Sequence, residues 1–248
     1  MSDFNARSIP ADRADMSVDA GLRSFMLGIY NKMALGLVLS AALAYVAGTV
    51  PAVQQLVFGT PLYFVVLFGP LAILLISSFV LRNPSPAAAN FVYWSVVSLL
   101  GLSLGSLLIQ YRVVPDGLTT IAKAFLITAA TFGALSLWGY TTKRDLTGFG
   151  TFLMMGLFGI IIASVVNLGF AYFTGHEITG LSFAISVIGV LVFAGLTAWD
   201  TQQLKYLYYH LGGDARATSV QTTYGALRLY LDFINLFLFI LRLMGGRR

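Results

Sequence analysis

Six runs of roughly twenty apolar residues, separated by short polar or proline-rich joints, set the pattern of this chain. They lie near Tyr30–Val50, Leu62–Leu81, Phe91–Gln110, Leu118–Gly139, Gly148–Phe173 and Leu181–Trp199. A bilayer core about 30 Å thick takes about 20 residues of helix to cross, so each run predicts a membrane-spanning helix. A seventh segment, near Tyr224–Met244, is more polar because it holds Arg228, Asp232, Asn235 and Arg242. It is read as a seventh full span, with a re-entrant segment as the alternative. The joints carry turn chemistry: Asn83-Pro84-Ser85-Pro86, Pro115-Asp116-Gly117 and Gly212-Gly213-Asp214. Residues 1–22 contain Asp3, Arg7, Asp12, Arg13, Asp15 and Asp19 with no apolar run. They read as a polar N-terminal tail ahead of a seven-helix domain at 23–248, and not as a signal peptide.

Composition agrees with lipid as the solvent. Hydrophobic residues make up 58% of the chain and charged residues only 10%, against about 25% charged in a soluble domain. There is no cysteine, which excludes disulfides, thiolate metal sites and cysteine nucleophiles. His176 and His210 are too few and too far apart for a histidine metal site. No basic stripe is interleaved with aromatics, so nucleic acid is not an expected partner. With the N-terminus inside, Arg7, Arg13, Arg23, Lys32, Arg82, Lys143, Arg144, Lys205, Arg216 and Arg228 fall on the inner side. The outer side then holds Arg112, Lys123, Arg242, Arg247 and Arg248. The excess favours N-inside by the positive-inside rule. Gly101 and Gly105 form a G-x-x-x-G step, and Gly28, Gly36, Gly156, Gly159, Gly189 and Gly195 suit close helix approach elsewhere.

Ionisable residues inside spans are costly and mark function by default. Asp200 ends the sixth run and Asp232 lies in the seventh. With N-inside topology both come near the inner face, where two carboxylates away from bulk water hold one proton in common and titrate as a unit. Arg82, at the inner end of the second helix, is placed to pair with Asp200. Plainer readings stand beside these. Asp200 could be a solvated helix end, Asp232 could pair with Arg228 one turn earlier, and Arg82 could snorkel to the headgroups. Two facing aspartates also suit an intramembrane protease, but neither has the Gly-x-Gly-Asp context, and Gly212-Gly213-Asp214 is in a loop. The chain is therefore not expected to be an enzyme.

Three ordered motifs carry a resemblance. They are Thr128-Ala129 with Phe132, Leu135-Ser136, Tyr140-Thr141-Thr142-Lys143-Arg144-Asp145-Leu146 and Gly150; then Trp199-Asp200-Thr201-Gln202; then Leu229-Tyr230-Leu231-Asp232-Phe233-Ile234-Asn235-Leu236-Phe237. Over roughly residues 20–245 the chain resembles the Bax inhibitor-1 (transmembrane Bax inhibitor motif) family, bacterial branch. The resemblance implies an all-α membrane protein of seven transmembrane helices, the last central and wrapped by the first six. It implies a pH-sensitive calcium leak, calcium being the permeant ion and no cofactor being needed. Asp200 and Asp232 map onto the sensing pair and onto a transient calcium site, Arg82 onto the latch, and Gln202 and Asn235 offer further oxygen contacts to an ion. The expected location is a bacterial cytoplasmic (inner) membrane. The alternative is a regulator that binds and restrains a membrane-anchored quality-control protease.

Overall fold

The structure, a computed structural model, describes residues 20–80 and 83–245. Among these residues the chain is all-helical: α1 (Ala20–Thr49), α2 (Pro51–Phe58), α3 (Leu62–Val80), α4 (Pro86–Arg112), α5 (Gly117–Thr141), α6 (Thr147–Thr174), α7 (Thr179–His210) and α8 (Ala215–Gly245). Six of them, α1 and α3 to α7, are long and apolar enough to cross a membrane. The predicted runs therefore exist as helices. Helix α8 is equally long but more polar, as its sequence predicts. The short α2, opened by Pro51 at its first turn, is an addition within the first joint.

Helix α8 packs against α1, α4, α5 and α7. It is central, but four neighbours surround it rather than six. Helix α3 packs chiefly on α4, and α6 on α7. Side-chain burial follows this layering. On α8, Leu229, Tyr230, Leu236 and Leu241 are almost wholly buried. On α3 and α6, Phe64, Phe68, Phe79, Phe152, Phe158 and Leu168 face outward. Large apolar side chains turned outward in such numbers are stable only against acyl chains.

Close helix contacts follow the small residues. A Cβ on Gly101 would lie 2.7 Å from the Ser40 backbone, and one on Gly105 2.7 Å from Ala47, so the G-x-x-x-G step seats α4 directly on α1. Gly28, Gly36, Gly156, Gly189 and Gly195 also meet neighbours, whereas Gly159 meets none within 4 Å. Beside the α1–α4 contact, Ser40 Oγ donates to the Val97 carbonyl (3.0 Å) and shares a hydrogen bond with the Tyr230 hydroxyl (2.7 Å). This ties α8 to the same pair of helices.

Three helices outrun their apolar segments. Helix α1 begins at Ala20 rather than Tyr30, α7 continues to His210 rather than Trp199, and α8 begins at Ala215 rather than Tyr224. At about 1.5 Å per residue, α7 is about 48 Å long, well over the hydrocarbon core. The extensions pack on one another: the Phe25 and Tyr208 rings lie 5.4 Å apart, and a Cβ on Gly28 would stand 3.3 Å from the Thr222 methyl. The last residues of the expected tail, from Ala20, are thus helical; residues 1–19 lie outside the described residues.

Candidate functional site

The site is where α7 and α8 bring their acids together. Two glycines bring neighbours close to Asp200. Gly139 on α5 lies against the Ala198 backbone, and Gly150 on α6 against the Trp199 ring. On α7 itself, Thr197 and Thr201 fold their hydroxyls back onto the carbonyls of Phe193 (2.8 Å) and Thr197 (2.7 Å). These bonds satisfy both hydroxyls within the helix.

Asp200 is 6% exposed and Asp232 5%, and the two carboxyls lie near enough to act on each other electrostatically. Two ionised carboxylates in such a setting repel each other, and burial disfavours both charges. Asp232 Oδ2 is buried with no N–H or O–H donor on it. Among the described residues one cation reaches the pair: Arg228 Nη1 donates to Asp200 Oδ1 at 3.3 Å. Arg228 is one turn before Asp232 on α8, yet its ion pair crosses to α7, so the i,i+4 pairing with Asp232 is not the one formed. The arginine side chain is 53% exposed while that of Asp200 is 8% exposed. The charge pair therefore joins a buried group to an accessible one. Arg82, expected as the latch, lies outside the described residues.

The other two expected ion contacts have different partners. Gln202 is fully buried, and both ends of its amide hold the α5–α6 loop: Oε1 accepts from Leu146 N (2.9 Å), and Nε2 donates to the Arg144 carbonyl (2.7 Å). Asn235 donates to the Leu231 carbonyl on its own helix (2.8 Å). Neither is directed at the acids by these bonds. Among the described residues no three His, Cys, Asp or Glu side chains cluster as a metal site. Asp200 and Asp232 are two carboxylates, short of the six to eight oxygens that calcium takes.

Sequence reasoning missed several parts of this region. Lys205, counted by its charge towards the inner side, is 4% exposed and donates to the Tyr140 carbonyl (2.8 Å) with its ammonium over the Tyr140 ring. With Gln202 one turn earlier it fixes the end of α5 to α7. Tyr30, Ser136 and Thr201 form a hydroxyl chain from α1 through α5 to α7, with steps of 2.6 and 2.9 Å. The available signal was polar residues standing in otherwise apolar runs. In the α5–α6 loop, Asp145 Oδ1 accepts from the Thr147 hydroxyl (2.6 Å) and backbone N–H (2.9 Å). These donors, the hydroxyl first, hold its carboxyl below the usual carboxylate range.

Comparison with known proteins places the chain among relatives along nearly its whole length. The family model described as inhibitor of apoptosis-promoting Bax1 matches residues 22–248. An uncharacterized protein of Caulobacter vibrioides is 55% identical, with all of both chains covered. Protein RP147 of Rickettsia prowazekii is 40% identical over 98% of each chain. The inner membrane protein YbhL of Escherichia coli strain K12 is 42% identical over 92% of this chain and 94% of the relative. Matched from residue 22 almost throughout, this integral, multi-pass membrane protein belongs to the Bax1-I family, the inhibitors of apoptosis-promoting Bax1.

Proposed function

We propose that the chain is a pH-gated cation leak of the bacterial inner membrane, with calcium as its permeant ion and no enzymatic activity. The observation that carries this reading is the burial of both Asp200 and Asp232 at the junction of α7 and α8, with Arg228 paired to Asp200. Helix α8 then acts as a seventh span and as the gate, and the N-terminus is inside. In the closed state the pair holds one proton and the remaining charge holds Arg228. Lower pH protonates the second carboxyl, removes the attraction to Arg228 and frees α8 to shift. Arg82 is proposed as a further latch on Asp200. A pair of carboxylates gives a calcium ion a weak, transient foothold, which suits permeation better than storage. The inner-membrane location is supported by the likeness to YbhL.

Calcium efflux from loaded proteoliposomes tests the proposal. Efflux above that of protein-free vesicles, rising as pH falls, is the expected result. Flux that climbs towards alkaline pH would overturn the gating scheme. No efflux at any pH, together with a stable complex with a membrane-anchored protease that survives loss of both aspartates, would transfer the function to protease restraint.

A further inference from the structure

A cavity of about 480 Å³ opens between α1, α4 and α5 on the membrane side of α8. Helices α1 and α5 part here, and the gap runs from Leu118 to Leu126, about 12 Å along α5. Its walls include Ala41, Ala44, Leu108 and Ala122, and its floor is Phe233, Ile234 and Phe237 of α8. Ser40 is its one polar lining residue, and the Ser40 hydroxyl is already engaged with Val97 and Tyr230. Water entering it would find no free partner. The cleft lies within the apolar stretches of three spanning helices, so the chains around it are acyl chains.

One end of the cleft has a different chemistry. Arg112 stands one turn beyond Leu108 on α4 and donates Nη1 to the Gly48 carbonyl (3.2 Å), one turn beyond Ala44 on α1. It therefore bridges the two walls at the end near the α4–α5 turn. Its side chain is exposed, and its remaining N–H donors point to the fork geometry that suits a phosphate.

We propose that this cleft is a binding site for one phospholipid, its acyl chain lying along Ala41, Ala122 and the Phe233–Phe237 floor and its phosphate on Arg112. Lipid tails gain no hydrophobic energy by moving from bilayer to protein. Selectivity comes from packing in the cleft and from the charge-assisted bond at its end. The bound chain touches Phe233, the residue after Asp232, whose ring is held between Phe125 (5.4 Å) and Phe132 (5.5 Å). An occupant therefore braces the segment of α8 that carries the acid. The site stands whether or not the chain conducts ions.

Native mass spectrometry of the full chain released from nanodiscs of phosphatidylglycerol and phosphatidylethanolamine tests it. The wild type is expected to keep one phospholipid under activation that strips the rest. The Ala41→Phe/Ala122→Phe double variant fills the cleft and lowers that fraction about tenfold. Val165→Phe, on the open lipid face of α6, leaves it unchanged. Arg112→Gln lowers phospholipid retention about tenfold, the effect of one lost bond to a charged group, without affecting retention of diacylglycerol, which has no phosphate. A wild type that keeps no lipid, or a folded double variant that keeps it like the wild type, overturns the site. If the double variant fails to fold, Arg112→Gln decides, and undiminished phospholipid retention there also overturns it.

Discussion

Replacing Arg228 by glutamine removes the cation paired with Asp200 while keeping most of the side chain's bulk. The ion pair is a single contact at 3.3 Å. At an effective dielectric of about 20 its bare attraction is about 5 kcal/mol. Much of that is lost to screening, because the arginine side chain is 53% exposed, and exposed pairs contribute about 0–1 kcal/mol. The buried carboxylate raises the net value above that floor, to about 1–2 kcal/mol. If the pair stabilises the closed arrangement by that amount, Arg228→Gln raises the ratio of open to closed protein about 5- to 30-fold. The effect has a definite sign with pH. The attraction exists only while the pair carries net negative charge, so it is present at higher pH and lost as pH falls. Calcium efflux of the variant should exceed that of the wild type at neutral and alkaline pH and converge on it in acid. Equal efflux at neutral pH, or a variant that leaks less, refutes the assignment of Arg228 as the latch.

Gly101→Val drives a side chain into the Ser40 backbone, 2.7 Å from where its Cβ would stand, and should cost about 1–3 kcal/mol, read as a lower thermal midpoint in detergent. Gln202→Leu leaves Leu146 N–H and the Arg144 carbonyl without their partner, at about 1–3 kcal/mol for each group that stays buried. Hydrogen exchange at the α5–α6 loop should rise accordingly. The Asp145 carboxyl should titrate below the usual range by carbon NMR, and Thr147→Val should raise it by removing the hydroxyl donor. Because its folded value is depressed, any stability it contributes is present above the unfolded value and lost as pH falls through the folded one.

The spans were legible because lipid imposes a length on apolar runs, and that constraint acts on sequence directly. The helix ends were not. Residues 20–29, 200–210 and 215–223 leave the apolar pattern and pack on one another instead. Their contacts, such as Phe25 with Tyr208, join segments far apart in the chain. The central place of α8 was an expectation of the family resemblance, and it accords with polar residues that lipid would reject. Its four-neighbour environment depends on helix packing that no single segment encodes. Asp200 and Asp232 stood out because they are charges near or within spans. The partner of Arg228 did not: spacing along α8 favoured Asp232, and the nearer acid belongs to the other helix. The partners of Gln202 and Lys205 were illegible for a related reason. A buried side chain that satisfies a loop carbonyl has the same letter as one that faces an ion or water.

Efflux of calcium from proteoliposomes, followed from acid to alkaline pH for the wild type, Asp200→Asn and Asp232→Asn, bears on the acid pair most directly. Each asparagine keeps the shape of the pair but removes one titrating group, so both variants should lose the acid-driven rise that the wild type displays. A pH profile that survives either replacement unchanged would contradict the shared-proton gate.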